Sequence, residues 1–74
     1  MTNSKIAVDR LKLRVRRVMA DLDQAELAER AGVHQTYVSL LERGKRGAKA
    51  ETVESLAAAL GCTVEDLMPD TVAA

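Results

Sequence analysis

Two short segments with helical periodicity, separated by only three residues, constrain this chain more than any other feature. Apolar residues recur at helical spacing in Gln24–Ala31 and again in Gln35–Glu42, which can extend one residue further. Gly32 follows the first segment, where the end of a helix favours a left-handed residue. Ala28 is small enough to let the two helices cross closely. The apolar side chains expected to fill the seam between them are Leu27, Ala31, Val33, Val38 and Leu41.

The same periodicity predicts three further helices. Their expected spans are residues 4 or 5 to 20, residues 50–60 and residues 64–68. Thr63 and Asp66 have the Thr-x-x-Asp spacing that caps the start of the last helix. The abundance of alanine, leucine and glutamate also favours helices over sheets. We therefore predict an all-α fold of five helices in which residues 1–74 form one domain, with a loose tail over residues 70–74.

Helix one carries apolar residues on two sides. One side is a stripe at steps of three and four residues, made of Val8, Leu11, Val15, Val18 and Leu22. Leu13 and Arg17 lie on roughly the opposite side of the helix. The pattern leaves open which of the two sides faces the core.

The small size of the chain points to oligomerisation. A domain of 74 residues buries roughly 60% of the surface of its unfolded chain, so its stability margin is thin. Cys62 is the only cysteine, and it has no metal-ligand spacing with His34, so neither a disulfide within the chain nor a metal is expected. We expect a homodimer formed by residues 50–68. The predicted interface residues are Leu56, Leu60, Val64, Leu67 and Met68.

The formal net charge is zero, but the charges are unevenly distributed. All eleven Lys and Arg lie in residues 1–50 with six acids (+5), whereas residues 51–74 carry five acids and no base (−5). This asymmetry favours a polyanion-binding surface in the N-terminal part, although a lopsided solvated pattern gives the same count. The sequence has no apolar signal-peptide core and no membrane-spanning run, and its cysteine is unpaired. We therefore expect a cytoplasmic protein without membrane contact.

The two closely spaced helices, residues 24–43, have the arrangement of a helix-turn-helix unit, with an ordinary helical hairpin as the alternative. Residues 24–33 (Gln-Ala-Glu-Leu-Ala-Glu-Arg-Ala-Gly-Val) and 37–44 (Tyr-Val-Ser-Leu-Leu-Glu-Arg-Gly) resemble the Cro/C1-type helix-turn-helix family of phage repressors and bacterial regulators. The similarity continues through residues 59–67 and covers about residues 13–68. Residues 34–39 and 42–44 together with Arg46 are most similar to restriction–modification controller proteins.

This resemblance implies a Cro/C1 repressor-like fold and a homodimer on a two-fold symmetric operator, controlling its own gene and an endonuclease gene. It also implies an internal ion pair between Arg17, late in helix one, and Glu42, at the end of helix three. The sequence departs from the family pattern at four positions of its first part. Asp21 stands where the family often has glycine, Arg16 where it is often apolar, and Leu11 and Val15 where it is often polar.

Four residues on the outer side of helix three are candidates for reading DNA bases: Gln35, Thr36, Ser39 and Leu40. In a helix-turn-helix, the N-terminal residues of the second helix contact base edges. Gln35 can bond both N6 and N7 of adenine, and Thr36 can bond a base or touch a thymine methyl. Ser39 can reach a base or a phosphate. Leu40 is either a contact to a thymine methyl or an ordinary surface residue.

Five residues are candidates for binding DNA phosphates: Gln24, Tyr37, Arg43, Lys45 and Arg46. Gln24 begins helix two, whose N-terminus attracts anions. Tyr37 is the only aromatic residue, and a half-buried ring with its hydroxyl on a phosphate or a purely structural ring both fit the sequence. Arg43, Lys45 and Arg46 follow the reading helix, and Arg46 can instead reach into a groove. A solvated basic loop remains the alternative.

The leading functional hypothesis is a sequence-specific transcription regulator. An antitoxin-like or other protein–protein interaction module is the main alternative, and an RNA-binding role lacks the aromatic side chains that stack on single strands. No nucleophile constellation supports an enzyme. The expected partners are double-stranded DNA and a second copy of the chain, with RNA polymerase as a further candidate. No cofactor and no small-molecule ligand are expected.

Overall fold

The computed structural model describes residues 5–70 and has an all-α fold. The helices are α1 (Arg10–Met19), α2 (Gln24–Ala31), α3 (Gln35–Glu42) and α4 (Ala50–Leu60), followed by one turn of 3-10 helix over Glu65–Leu67. The bounds of α2 and α4 agree with those expected from the sequence, and α3 has the shorter of its two expected spans. Within residues 5–70, none of the helices has the length and apolarity needed to cross a bilayer.

Helix α1 begins later than the sequence predicts, because Asp9 caps it. Asp9 Oδ1 accepts hydrogen bonds from the backbone N–H groups of Leu11 (2.9 Å) and Lys12 (3.0 Å). Residues 5–9 are not helical, and Ile6 and Ala48 exchange both backbone hydrogen bonds, at 2.7 and 3.1 Å. The predicted start at residue 5 is therefore wrong, and a start at residue 4 lies outside the described residues. Helical periodicity misses this start because the pairing partner is distant in sequence.

The last predicted helix, residues 64–68, is only the 3-10 turn. Its predicted cap is present: Thr63 N–H donates to Asp66 Oδ2 at 3.0 Å, and Asp66 N–H donates to Thr63 Oγ1 at 3.3 Å. Hydrogen bonding of the Asp66 carboxyl by the Thr63 backbone N–H, and next by the Thr63 side chain, lowers the pKa of that carboxyl. Met68 is already extended, so residues 5–70 form four α-helices and a turn rather than five helices. Residues 71–74 of the predicted loose tail lie outside the described residues.

Every helix and the C-terminal turn contribute to one hydrophobic core. Its largest fully buried side chains are Leu13, Leu27, Val38, Leu41, Val53, Leu56 and Leu67. Two residues of the predicted dimer interface, Leu56 and Leu67, are in this list, with 0% exposure. This corrects the sequence-based interface, because α4 and the turn bury these side chains inside their own chain. Leu60, Val64 and Met68 are only half-buried.

Helix α1 turns Leu13 into the core, whereas the middle of its apolar stripe faces outward. The exposures of the stripe residues and of the adjacent methionine are 59% for Leu11, 53% for Val15, 61% for Val18 and 73% for Met19. The ends of the predicted stripe behave differently, because Val8 and Leu22 lie outside the helix, where helical spacing does not apply. Leu22 is buried, and Val8 packs partly against the core.

The connections around α2 use left-handed residues. Asp21 has a φ of 61°, a left-handed conformation that aspartate tolerates better than most side chains. Gly32 has a φ of 74° and ends α2, and the next residue, Val33, donates its backbone N–H to the carbonyl of Ala28 at 2.9 Å. The turn between α2 and α3 is therefore fixed by its own hydrogen bonds.

A buried ion pair joins the first three helices, as the sequence analysis expected. Arg17 Nε lies 2.6 Å from Glu42 Oε2, and Arg17 Nη2 lies 3.1 Å from Glu42 Oε1. Arg17 also donates to the carbonyl of Leu22 at 2.8 Å, and Gln24 Nε2 donates to Glu42 Oε1 at 3.1 Å. The side chains of Arg17 and Glu42 are only 13% and 3% exposed, and their hydrogen bond raises the pKa of Arg17. α3 is thereby fixed to α1 and α2.

We predict that Arg17→Ala lowers the free energy of unfolding by ~3–5 kcal/mol, because Glu42 would stay buried without its charge partner. That is a large part of the stability of a small domain, which is about 5–15 kcal/mol. Thermal unfolding followed by circular dichroism measures the loss.

Arg16→Ala is the matched control. Arg16 lies 3.5 Å from Asp66, and the two side chains are 40% and 38% exposed, so the change is expected to cost about 1 kcal/mol or less. Equally small losses in both variants would show that Arg17 behaves as an ordinary surface charge.

Candidate nucleic-acid interface

Helix α3 turns an apolar side inward and a polar side outward. Val38, Leu41 and Glu42 are buried against the rest of the domain. Gln35 and Thr36 are exposed, whereas Ser39 and Leu40 are half-buried. At about 100° per residue, the four predicted base-reading residues occupy one continuous arc of the helix surface. The sequence therefore places these four side chains on an accessible side of a helix that is held firmly from behind.

The start of α3 is open to an incoming acceptor. His34 occupies the N-cap position but makes no side-chain capping hydrogen bond. The first N–H groups of a helix have no partner within the helix and carry partial positive charge. The N-terminus of α3 thus adds donors beside Gln35 and Thr36.

A cleft of about 380 Å³ brings several of the predicted residues together. Its lining residues are His34, Thr36, Tyr37, Leu40 and Arg46. Arg46 Cζ lies 4.8 Å from the centroid of the half-buried Tyr37 ring, which is cation–π geometry. The guanidinium is therefore held over the ring and next to Thr36 and Leu40, two of the predicted base-reading residues. His34 also lines this cleft, although it is not among the residues predicted to bind DNA.

The basic loop after α3 is folded back onto the end of that helix. Lys45 N–H donates to the carbonyl of Leu40 at 2.9 Å, and the Ile6–Ala48 bridge closes the far side of the loop. Arg43 and Lys45 are exposed and free to turn toward a ligand. The loop thus presents its cations next to the C-terminal end of α3.

Arg10 extends this basic surface and was missed by the sequence analysis. A Cβ atom placed on Gly44 would lie 3.1 Å from Arg10 Cδ, so the Arg10 side chain runs along the loop. Gly44 has a φ of 71°, a conformation that L side chains rarely adopt. No local sequence signal identifies Arg10, because the contact spans 34 residues along the chain (44 − 10).

The structure gives Gln24 a different role from the one expected. Its side-chain amide donates to Glu42, so it supports the buried ion pair. Asp23 accepts from Glu26 N–H at 2.7 Å while Glu26 Oε1 accepts from Asp23 N–H at 2.9 Å, which completes a capping box. Because the Gln24 side chain is occupied, its backbone N–H at the start of α2 is the part of this residue that can still bind a phosphate.

The charge balance around α3 is positive. Within residues 35–49 Glu42 is the only acid, and Arg17 neutralises it, whereas Arg43, Lys45, Arg46 and Lys49 are all cations. A positive surface next to an exposed helix N-terminus suits a polyanion.

Among residues 5–70, no group of three or more metal-binding side chains is placed to hold an ion. Cys62 is half-buried, and desolvation raises the pKa of its thiol.

Comparison with known proteins agrees with this geometry. A family model described as helix-turn-helix matches residues 13–67. The control protein C.BamHI of Bacillus amyloliquefaciens is 33% identical over 72 residues, which cover 96% of this chain and 89% of that protein. The crystal structure of the restriction–modification controller protein C.AhdI from Aeromonas hydrophila has a TM-score of 0.77 at 32% identity, covering 80% of this chain and 89% of the other.

A further similar structure is the biofilm regulator SinR in complex with DNA, with a TM-score of 0.73 at 28% identity, covering 76% of this chain and 90% of that one. The matched segment of the family model spans all four helices except the start of α1. The chain therefore belongs to the Cro/C1-type helix-turn-helix family of DNA-binding transcriptional regulators.

Proposed function

We propose that this protein is a restriction–modification controller that binds a two-fold symmetric DNA site as a homodimer. In this proposal it regulates its own gene and a restriction endonuclease gene. The names of its relatives C.BamHI and C.AhdI support the controller role. The observation that carries the DNA-binding part is the exposed face of α3, which is bordered by the cleft under Arg46 and by the basic loop.

The outer face of α3 contacts the DNA bases in this proposal. The N-terminal turn of this helix enters the major groove, where Gln35 bonds adenine N6 and N7 and Thr36 contacts a base or a thymine methyl. Ser39 and Leu40 lie one helical turn further along. Leu40 and Thr36 share the cleft, so an apolar contact with a thymine methyl next to Thr36 is consistent with the geometry.

Phosphate binding falls to the cations around this face. Arg43, Lys45 and Arg46 supply charge, and Arg10 adds a guanidinium from α1. Tyr37 holds Arg46 by its ring, which leaves the tyrosine hydroxyl for a phosphate. The backbone N–H of Gln24 provides a further donor at the N-terminus of α2. These contacts are independent of base sequence, so they set affinity and register.

The dimer places two reading helices on the two half-sites. Of the interface residues predicted from the sequence, Leu60, Val64 and Met68 keep part of their surface outside the core.

As a controller that activates a gene, the protein would in addition contact RNA polymerase. A protein–protein interaction module is the competing function, and loss of all sequence-selective DNA binding in mobility-shift assays would favour it.

We predict a strong salt dependence of DNA binding. For a dimer that makes ~6–10 phosphate contacts, the slope of log K against log salt concentration is expected to be about −5 to −9. Lys45→Ala is expected to flatten the slope by roughly one to two units, because each dimer loses two contacts. Fluorescence anisotropy titrations at several salt concentrations measure the slope. Arg16→Ala, which removes a cation facing Asp66, is the matched control and should leave it unchanged. A wild-type slope near zero would contradict the phosphate surface.

We predict that Gln35 selects the DNA sequence. Gln35→Ala is expected to weaken binding to a symmetric operator by about 2–6 kcal/mol, because a bidentate base contact is worth ~1–3 kcal/mol and the dimer uses it twice. Binding to a scrambled duplex should hardly change, since it depends on phosphates. Thr36→Ala should cost less, because its contact is a methyl or a single hydrogen bond.

The measurement compares operator and scrambled duplexes at one salt concentration, with the operator identified by footprinting DNA upstream of the gene. Ser55→Ala, at an exposed position of α4, is the matched control and should leave both affinities unchanged. If Gln35→Ala weakened both duplexes by the same factor, Gln35 would be a backbone contact and not a base reader.

A further inference from the structure

Among residues 5–70, the large apolar side chains that are exposed all lie on α1: Leu11, Val15, Val18 and Met19. Together they form a patch on the order of 400 Å², a size at which exposed patches on monomers are often functional. None of them belongs to the proposed DNA-binding surface. We call these four residues the α1 stripe.

An acidic turn borders the α1 stripe on one side. A groove of about 470 Å³ separates α1 from the C-terminal residues, and its lining residues are Leu11, Lys12, Val15, Arg16, Glu65, Asp66 and Asp70. Lys12 Nζ bridges the groove, 2.7 Å from Asp70 Oδ1 and 3.0 Å from the carbonyl of Met68. Glu65 is exposed at this edge and has no salt bridge to a residue in the described part of the chain.

A basic edge borders the α1 stripe on the other side. At about 100° per residue, Arg14 lies next to Val18 on the side of α1 that is turned away from the groove. Arg14 is exposed, and α1 carries no acid of its own. On the groove side, Lys12 pairs with Asp70 and Arg16 with Asp66, so that Glu65 is the carboxylate without a salt bridge among the described residues. The face therefore consists of an apolar centre with Arg14 on one edge and Glu65 on the opposite edge.

We propose that this face binds a second copy of the chain, with the two α1 stripes in contact across a two-fold axis. An axis that runs along α1 sets the basic edge of each copy against the acidic edge of the other, so that Arg14 of one copy faces Glu65 of the second copy. Two α1 stripes with their flanking edges reach the roughly 1,000 Å² that a specific interface needs. Val64 and Met68 flank the C-terminal turn and would lie at the border of this interface.

The α1 stripe with its edges would be the surface that forms the dimer of the proposed function. The inference rests on that function only for the role of the dimer on DNA. Sedimentation velocity from low to high micromolar concentration tests the surface itself. The wild-type chain is expected to dimerise, and Val15→Glu is expected to weaken the dimer at least ~30-fold, because each copy would bury an unpaired charge.

Two controls separate loss of the interface from loss of the fold. Val15 is 53% exposed and glutamate has the higher helix propensity, so the thermal unfolding of dilute Val15→Glu should match that of the dissociated wild type. Ala58→Glu introduces the same charge at an exposed position of α4 and should dimerise normally. A monomeric wild type at high micromolar concentration, or a dimer sensitive to Ala58→Glu and not to Val15→Glu, would overturn the proposal.

Charge exchange tests the orientation of the two copies. Arg14→Glu alone and Glu65→Arg alone are each expected to weaken the dimer roughly tenfold or more, because like charges would face each other. The double variant restores the opposite-charge pairs and should recover most of the wild-type affinity. Additive losses in the double variant would rule out the pairing of Arg14 with Glu65 and the two-fold axis along α1.

DNA binding by the same variants distinguishes this inference from the proposed function. Val15→Glu should keep its affinity for a duplex with one half-site and lose the tight binding to the two-fold site. Equal operator binding by Val15→Glu and the wild type would overturn the interface while leaving the controller function intact. A wild type that dimerises through α1 but binds no DNA selectively would support the interface and refute the function.

Discussion

The buried pair of Arg17 and Glu42 is the interaction on which the arrangement of the proposed DNA-binding surface depends. Glu42 ends α3, the helix that carries the predicted reading residues, and its carboxylate is held by Arg17 from α1 and by Gln24 from α2. A carboxylate that is 3% exposed is stable only with such partners. The pair therefore fixes the orientation of α3 against both neighbouring helices and also removes the one negative charge from an otherwise basic segment.

Backbone hydrogen bonds between distant parts of the chain add to the contacts that fix α3 against its neighbours. The extended residue Ile6 bonds to Ala48, and Asp9 N–H donates to the carbonyl of Leu67 at 2.8 Å. The first contact closes the basic loop after α3, and the second ties the start of α1 to the C-terminal turn. Because α1 begins where these contacts end, Arg10 comes to lie beside Gly44 and joins the cations of the loop. Contacts of the N-terminal segment with distant parts of the chain thus determine part of the predicted phosphate surface.

The sequence predicts correctly the features that depend on neighbouring residues. It does not predict the features that depend on contacts between residues far apart along the chain. The bounds of α2 follow from the Asp23 cap and from Gly32, and the outer face of α3 follows from helical periodicity alone. The start of α1, the inward role of Gln24 and the contribution of Arg10 depend on contacts with residues far along the chain, which periodicity does not contain. Leu56 and Leu67 were assigned to a dimer interface because the C-terminal segment considered alone is too apolar to bury its own side chains. In the structure α2 packs against α4, and α1 and α4 pack against the C-terminal turn, so both leucines are buried inside the chain.

Helix α1 connects the hydrophobic core and the buried ion pair to the proposed dimer interface, because its two sides have different roles. Its inner side presents Leu13 to the core and Arg17 to Glu42, and its outer side carries the α1 stripe. In the proposed dimer, a helix of ten residues would connect the two-fold contact directly to the reading helix, through a buried ion pair and without an intervening loop. Packed interiors deform little, so the separation of the two reading helices would be set by how the two copies of α1 meet. Half-site spacing is a geometric property of such a dimer, and in this chain it would be determined by the outer face of its first helix.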